Sequence, residues 1–358
     1  MKNDFFDEIA IIGDGITAKL VAIAFNQLKI MPILISNNKK KIHSNASISI
    51  SNHSQKILLS YGIDIKKKAN PIYSIKLYEQ NYRIKEDVIF FNKKSKQPLS
   101  FVILKNDLEK ILDENINNKF KIIKSRPKQS SLVINTINSP AKKISWNYNE
   151  KAFTFIIKHT KLLNFCARQL FIEAGPIAFL PLDSNITSVV FSISESSILI
   201  ETLNNKILLE KYLNKNFPFL KNIKVISKVE NFPLKFDFLT SSFFENEIYL
   251  GDIAHRIHPI AGQGWNMTVR DVHTLHKIYK EKIKYGYNLS DKSILKDFEK
   301  KTKVNNLIFA ASIDLIRKTF KLKYKKISVG RKKVFNELDT YPELKREIIK
   351  FADKGLNF

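Results

Sequence analysis

The chain has 358 residues, of which 44% are hydrophobic, enough for one large domain or two smaller domains with buried cores. Its formal net charge is +26, with 60 lysines and arginines against 34 acidic residues. The basic residues are scattered along the whole chain, and no zinc-ligand spacing or RNA-binding signature accompanies them. We therefore interpret the charge as a compositional bias and expect no nucleic-acid partner and no metal site.

The single cysteine, Cys166, excludes an intrachain disulfide and favours a reducing compartment. The first residues are acidic and lead directly into an apolar run, without the pattern of a signal peptide. No apolar run reaches the roughly 18 residues that a membrane-spanning helix needs. We expect a cytoplasmic protein, with peripheral contact on the inner membrane as the one membrane role left open.

The first elements have the pattern of a dinucleotide-binding unit. An apolar strand at Glu8–Ile12 precedes the turn G-x-G-x-x-A, and a helix and a second strand at Pro32–Ile35 follow. Gly13 allows the tight turn, Gly15 lets the backbone approach a pyrophosphate, and Ala18 replaces the usual third glycine. An ordinary α/β turn that binds no phosphate is the alternative.

The acid that usually binds a ribose at the end of the second strand is absent. Ser36 stands there, and no Asp or Glu occurs between Gly15 and Ile63. A serine can still hydrogen-bond a hydroxyl group, although more weakly than a carboxylate. Lys39–Lys41 follow, and they fit either a 2′-phosphate site, as in NADP proteins, or a solvated loop, which is the favoured reading.

The most informative stretch lies between residues 248 and 275. A short apolar strand ends at Gly251 and Asp252, and a loop containing Pro259, Gly262 and Gly264 follows. Beyond the loop, apolar residues recur at helical spacing: Trp265, Val269, Val272, Leu275 and Tyr279. Because a helix start attracts anions and an acid can hold a polyol hydroxyl, this order suits a large cofactor with a sugar-alcohol chain.

The segment GDIAHRIHPIAGQGWNMTVRDV resembles the motif GD-A-H-x-x-x-P-x-x-GQG-x-N-x-G-x-x-D of FAD-dependent aromatic hydroxylases. Within that family, HPIAGQG most resembles the UbiH-type ubiquinone-biosynthesis hydroxylases. Every fixed position matches except Thr268, where the family has a glycine. The resemblance implies an α/β fold with a Rossmann-like FAD-binding domain, an interleaved β-sheet substrate domain and C-terminal helices.

The resemblance also implies the domain boundaries and the reaction. The FAD-binding domain is expected at residues 1–70, 100–145 and 240–300. The substrate domain is expected at 71–99 and 146–239, and the helical region at 301–358. The implied reaction is hydroxylation of a polyprenylated phenol by dioxygen with FAD, with NAD(P)H or a ferredoxin as the electron donor and biosynthetic-complex proteins as further partners.

Site residues follow from the same resemblance. The residues expected at the reacting ring are Pro259, Gly262 and Gln263. The expected cofactor-binding residues are Gly13, Gly15, Ala18, Ser36, Asp252, Gly262, Gln263, Gly264 and Asn266. Asp252 would hold the ribityl chain, Gln263 and Asn266 would line the ring, and backbone N–H groups from Gly262 to Gly264 would stabilise negative charge on the reduced flavin. Structural roles are favoured over acid–base roles for His255 and His258.

The chain departs from the family pattern at two further places. Ala46 lies where the family has an arginine, and Asn135–Ser139 replaces the usual Asp-Gly motif. These departures favour a rival hypothesis, in which the protein is a catalytically degenerate, flavoprotein-like scaffold in a ubiquinone-biosynthesis complex. A plain nicotinamide dehydrogenase is a weaker rival, because it leaves the late motif without a purpose.

Three other segments carry structural expectations. Ser47–Ile63 resembles the family's second helix, and Asn106 is expected to cap the helix that begins near it. Gly175, with the prolines that follow it, matches a strand pair of the substrate domain. The basic segment 317–333 suits either a solvated helical cap, the favoured role, or contact with an anionic membrane.

Overall fold

The computed structural model describes residues 9–36, 44–79, 88–91, 97–116, 120–126, 130–321 and 341–355. Lys39–Lys41, considered above for a 2′-phosphate, lie outside the described residues, as does most of the basic segment 317–333. The helices are α1 (Ile16–Asn26), α2 (Asn52–Ser60), α3 (Lys105–Ile116), α4 (Leu199–Asn204), α5 (Lys206–Asn216), α6 (Gly264–Lys284), α7 (Lys292–Lys321) and α8 (Pro342–Lys354).

The strands form three sheets. In chain order they are β1 (Ile9–Ile12), β2 (Ile33–Ile35), β3 (Ser47–Ser51), β4 (Asn70–Ile72), β5 (Ser74–Glu79), β6 (Val88–Phe91), β7 (Ser100–Leu104), β8 (Ile122–Ile123), β9 (Leu132–Asn135), β10 (Lys143–Lys158), β11 (Cys166–Ile172), β12 (Gly175–Asp183), β13 (Ile186–Ser194), β14 (Lys224–Val225), β15 (Glu230–Leu239), β16 (Phe243–Phe244), β17 (Glu247–Tyr249) and β18 (His255–Arg256).

The first sheet has the order β16-β17-β9-β1-β2-β8, and its strands run parallel except for the β16–β17 hairpin. Its central strands are continuous apolar runs, as expected for a sheet that is buried on both faces: helix α1 packs on the face of Ile9 and Ile11, and Ala10 and Val133 on the opposite face are also fully buried. Ile9, Ile11 and Ile134 are fully buried in the largest core, together with most of α1. This sheet confirms the predicted α/β fold with a dinucleotide-type unit at its centre.

The second sheet is mainly antiparallel and has the order β18-β15-β10-β13-β12-β11-β5-β6, with β14 paired to β10. Helix α5 covers one face of it, and the core there is rich in phenylalanine: Phe153, Phe155, Phe179, Phe191 and Phe217. A third sheet has three strands in the order β3-β7-β4, and along the chain these strands alternate with strands of the other two sheets. The chain thus crosses several times between the parallel and antiparallel sheets.

Two local expectations were wrong. The stretch Ser47–Ile63 is not one helix, because its alternating Ser-Ile residues form β3 and only the part after Ser51 forms α2. Ser51 caps α2 by accepting a hydrogen bond from the backbone N–H of Ser54. Asn106, expected to cap α3, lies instead inside its first turn. Its side-chain oxygen accepts a hydrogen bond from the backbone N–H of Ser44, and its side-chain nitrogen donates one to the Ser44 carbonyl.

The C-terminal helices pack against the parallel-sheet domain. Helix α7 lies along α6, and α8 reaches the start of α2, where the Asp353 carboxylate accepts a hydrogen bond from the backbone N–H of His53 at 2.7 Å. None of the helices that the structure describes is long and apolar enough to cross a bilayer.

Gly175, the first residue of β12 after the turn from β11, generates the first prediction. Its φ is +137°, and a Cβ there would overlap the carbonyl oxygen of Ser192. We expect Gly175→Ala to lower the free energy of unfolding by about 2 kcal/mol or more, measured by urea denaturation. Gly286, with φ of +78° and open space around it, is the matched control, and Gly286→Ala should cost less. Equal losses in the two variants would contradict the close contact.

Candidate functional site

The site lies where three neighbouring parallel strands end. Strands β1, β9 and β17 are adjacent in the sheet, and Ile12, Asn135 and Tyr249 align at their carboxyl ends. In open α/β sheets ligands bind outside this edge. The glycine turn, the Asn135 loop and the Gly251–Asp252 turn all leave from it.

The first turn has the geometry that its glycines predict. The backbone N–H of Gly13 donates to the carbonyl of Ile35 at 3.0 Å. Gly13 has a φ of +133°, and a Cβ there would overlap the Thr136 hydroxyl. Gly15 is exposed with open space before it, and no side chain caps α1, which starts there. Ala18 is buried beneath Gly13. The turn therefore offers backbone N–H groups to an anion at Gly15, while Ala18 serves packing.

The Gly251–Asp252 turn, called the late turn below, packs against the start of α1, next to the first glycine turn. Gly251 has φ of +84°, and a Cβ there would lie 2.9 Å from Oγ1 of Thr17 on α1. Asp252, the next residue, is exposed and accepts no hydrogen bond from the residues that the structure describes. The structure thus brings Asp252 to the crevice at the start of α1, although more than 230 residues separate them.

The Gly262–Gly264 loop is held by strand β3. Gly262 is left-handed, with φ of +59°, and a Cβ there would lie 3.0 Å from the Cβ of Ser49. Asn266, which is fully buried, accepts from the backbone N–H of Ser51 at 2.9 Å and donates to the carbonyls of Ser49 at 2.9 Å and Gly262 at 3.3 Å. Both amide hydrogens of Asn266 are therefore committed to the backbone, so this side chain fixes the loop rather than offering a donor to a ring.

The start of α6 is open. No side chain caps it, and a Cβ on Gly264 would meet nothing within 4 Å. Two buried polar atoms beside it, Oε1 of Gln263 and Nε1 of Trp265, have no hydrogen-bond partner among the described residues. Buried polar groups are rarely left unpaired. Unpaired groups next to an uncapped helix start fit a polar ring that would bind there.

The two motif histidines are buried and face acids. Nε2 of His255 lies 2.7 Å from Oδ2 of Asp271, and the amide of Asn306 donates to both oxygens of the same carboxylate. This arrangement ties the chain after Asp252 to α6 and α7. The favoured structural role of His255 agrees with it.

His258 joins a second buried cluster behind Pro259. Its Nε2 lies 3.1 Å from Glu150 on β10, and Arg317 of α7 donates to the other Glu150 oxygen at 2.8 Å. The guanidinium of Arg317 stacks over the ring of Tyr148 at 4.2 Å. Burial lowers the pKa of His258, and the Glu150 carboxylate opposes that shift only in part. His258 is therefore neutral near pH 7.

The loop that replaces the Asp-Gly motif is closed on itself. The side-chain oxygen Oδ1 of Asn135 accepts from the backbone N–H of Ile137 at 2.9 Å, and its side-chain Nδ2 donates to Glu247 at 2.8 Å. Thr136 donates to the carbonyl of Ile12 and fills the space before Gly13. A cleft of about 600 Å³ lies outside this loop, lined in part by Arg126, Asn138 and Tyr249.

Sequence reasoning placed the glycine turns and Asp252 but missed four supporting residues. The first is Asp14, whose carboxylate accepts a hydrogen bond from the Ser36 hydroxyl at 3.1 Å and therefore lies at the end of β2. Thr17, Glu150 and Arg317 support the site through the contacts described above. Only Asp14 carried a sequence signal, because it stands between the two glycines of the first turn.

No family model matches the chain. It is 29% identical over 183 residues to the mitochondrial ubiquinone biosynthesis monooxygenase COQ6 of Dictyostelium discoideum, covering 42% of this chain and 37% of that protein. It is 26% identical over 208 residues to the 3-demethoxyubiquinol 3-hydroxylase of Escherichia coli strain K12, covering 58% of this chain and 53% of that protein. The matches thus span about half of these relatives or less.

Solved structures agree over the whole fold. The p-nitrophenol 4-monooxygenase PnpA of Pseudomonas putida DLL-E4 superposes with a TM-score of 0.81 at 13% identity, covering 98% of each chain. PqsL of Pseudomonas aeruginosa, a probable FAD-dependent monooxygenase, gives a TM-score of 0.74 at 12% identity, covering 93% of this chain and 99% of that one. The fold is therefore that of these monooxygenases, and the predicted resemblance to ubiquinone-biosynthesis hydroxylases is confirmed as sequence similarity.

Asn266 generates a stability prediction. We expect Asn266→Ala to lower the free energy of unfolding by about 2–4 kcal/mol, because it leaves buried backbone groups of β3 and the glycine loop unpaired. Urea denaturation measures the loss. The matched control is Asn115→Ala, which removes a single 2.9 Å bond from an amide to the carbonyl of Ile111 within α3 and should cost under about 1 kcal/mol.

His258 generates a pH prediction. Because its folded-state pKa lies below the ordinary value of 6.5, the unfolded chain takes up the proton first as the pH falls. The stabilisation is complete above about pH 6.5 and declines below it. We expect His258→Gln to flatten the dependence of unfolding free energy on pH by up to about 1.4 kcal/mol per pH unit in that range. Equal slopes between pH ~5 and ~7 in the two proteins would contradict a neutral buried imidazole.

Proposed function

We propose that this chain binds FAD and uses it, with dioxygen, to hydroxylate the aromatic ring of a polyprenylated phenol in ubiquinone biosynthesis. The observation that carries the proposal is the close approach of Gly251 to Thr17, which brings the Gly251–Asp252 turn against the start of α1, next to the first glycine turn. A dinucleotide turn alone would suit many cofactors. The second turn, with an exposed acid followed by an uncapped helix, suits a flavin.

The described residues fit FAD along most of its length. Gly13 and Gly15 would receive the pyrophosphate at the start of α1, and Ala18 would keep helix and strand close. Asp252 would accept hydrogen bonds from the ribityl hydroxyls. The backbone N–H groups between Gly262 and Gly264 would face the pyrimidine edge of the ring, where Gln263 has a buried, unpaired oxygen.

FAD, when bound, would supply the oxygen-transfer chemistry. The protein would contribute position and charge: no side chain caps the start of α6, whose positive potential would stabilise the negative edge of a reduced ring bound there. Pro259 lies beside that helix start and would shape the face at which oxygen and substrate meet. His258 is held neutral and bound to Glu150, so it would position this loop rather than exchange protons.

The relatives named above act in ubiquinone biosynthesis by their names, and we extend that pathway to this chain. The aromatic substrate would approach from the antiparallel sheet, and NAD(P)H or a ferredoxin would supply electrons. Proteins of a biosynthetic complex are the proposed partners. Peripheral contact with a membrane would bring the enzyme to prenylated substrates that reside there.

A second candidate is a scaffold without catalysis. It is favoured by the Asn135 loop, which satisfies its own polar groups and carries no carboxylate, and by Ala46 in place of an arginine. The test is oxygen uptake by the FAD-loaded protein with a prenylated phenol and either NAD(P)H or a reduced ferredoxin, with mass spectrometry of the product. A product heavier by one oxygen atom supports the enzyme, whereas bound FAD without turnover with either electron donor supports the scaffold.

Asp252 provides the prediction for cofactor binding. We expect Asp252→Ala to weaken FAD binding by roughly tenfold or more, because hydrogen bonds to a carboxylate are among the strong ones. Quenching of flavin fluorescence on titration with the protein measures the affinity, and the absorption spectrum of the purified variant should lose its flavin peaks. Asp64→Ala, at an exposed acid beyond α2, is the control and should bind FAD like the wild type. An unchanged affinity in Asp252→Ala would remove the role assigned to Asp252.

A further inference from the structure

We infer that Asp14 replaces the acid that is missing at the end of β2. Its carboxylate would accept hydrogen bonds from the 2′- and 3′-hydroxyls of the adenosine ribose. The inference rests on the proposed binding of FAD and adds a specificity residue to that site. It starts from the absence of an acidic residue. Ser36 stands at the end of β2, where dinucleotide folds place a carboxylate about 20 residues after the glycine turn.

The geometry brings a carboxylate to that position from another element. The Ser36 hydroxyl donates to Oδ2 of Asp14 at 3.1 Å, and the backbone N–H of Gly13 donates to the carbonyl of Ile35 at 3.0 Å. These two bonds tie the glycine turn to the end of β2. The acid is therefore supplied by the turn, and the serine orients it.

Asp14 is available for a ligand. It is exposed, and Oδ1 accepts no hydrogen bond from the residues that the structure describes. Strand β8, which pairs with β2 on its other side, has only basic and neutral residues in the described stretch 120–126. Because Asp14 lies directly before the start of α1, the positive end of the helix stabilises its charge.

The bond to Ser36 directs the Asp14 carboxylate to the end of β2, where it would accept hydrogen bonds from a vicinal diol and repel a phosphate attached to that ribose. Asp14 would therefore select a ribose with free hydroxyls and disfavour one with a 2′-phosphate. This preference opposes the 2′-phosphate alternative that Lys39–Lys41 raised, and it makes Asp14 a specificity-determining residue.

The experiment measures equilibrium binding of FAD and of three adenosine probes to the flavin-free protein by calorimetry: ADP, 2′-deoxy-ADP and adenosine 2′,5′-bisphosphate. We expect the wild type to bind ADP roughly tenfold more tightly than the deoxy probe, since a hydrogen bond to a charged group is lost. Asp14→Ala should bind ADP and 2′-deoxy-ADP alike and should gain affinity for the 2′-phosphate probe. Glu201→Gln, at an exposed acid on α4, is the control and should keep the wild-type preference.

The outcomes separate this inference from the proposed function. If the wild type binds FAD and ADP but Asp14→Ala keeps the preference for ADP over 2′-deoxy-ADP, the role of Asp14 is wrong and FAD binding stands. The same holds if the wild type does not distinguish these two probes. If the wild type binds neither FAD nor ADP, both proposals are wrong. A circular dichroism spectrum like that of the wild type establishes that Asp14→Ala is folded.

Discussion

The close approach of Gly251 to Thr17 is the constraint on which the site depends. A side chain at position 251 would come within 2.9 Å of the Thr17 hydroxyl, so only the absence of a Cβ lets the late turn reach the first helix. The parallel order β17-β9-β1 aligns the strand ends, and this contact closes the remaining gap. Without it, Asp252 and the dinucleotide turn would be two unrelated features of one sheet edge.

The two helices that start near this sheet edge, α1 and α6, have no side chain capping their N-termini. Each presents free backbone N–H groups and partial positive charge at a glycine with open space, Gly15 for α1 and Gly264 for α6. A ligand that is anionic at two separated points would match both. The buried clusters around His255 and His258 hold the chain between Asp252 and Gly264 against α6, α7 and β10, so packed polar contacts fix the position of the Gly251–Asp252 turn relative to the start of α6.

Local patterns predicted the elements whose signal is local. Short apolar runs predicted β1, β2 and β17 of the parallel sheet, and the motif spacing predicted the two glycine turns that follow β1 and β17. The same reasoning failed for Ser47–Ser51, where serine and isoleucine alternate with the period of a strand although the family resemblance indicated a helix. It also could not find Asn266's bonds to β3 or the pairing of Glu150 with Arg317, because these contacts join residues more than 160 positions apart. Asp14 shows the same limit: its meaning appears only when Ser36 is placed beside it.

Binding of FAD to the flavin-free protein, followed by displacement with ADP, tests most directly whether the two turns form one site. The account predicts that one FAD binds per chain and that ADP competes for it, because ADP would occupy the end of the crevice at the start of α1. It also predicts that riboflavin, which lacks the adenosine and both phosphates, binds much more weakly than FAD. Failure of FAD to bind, or binding of FAD that ADP does not displace, would contradict the account.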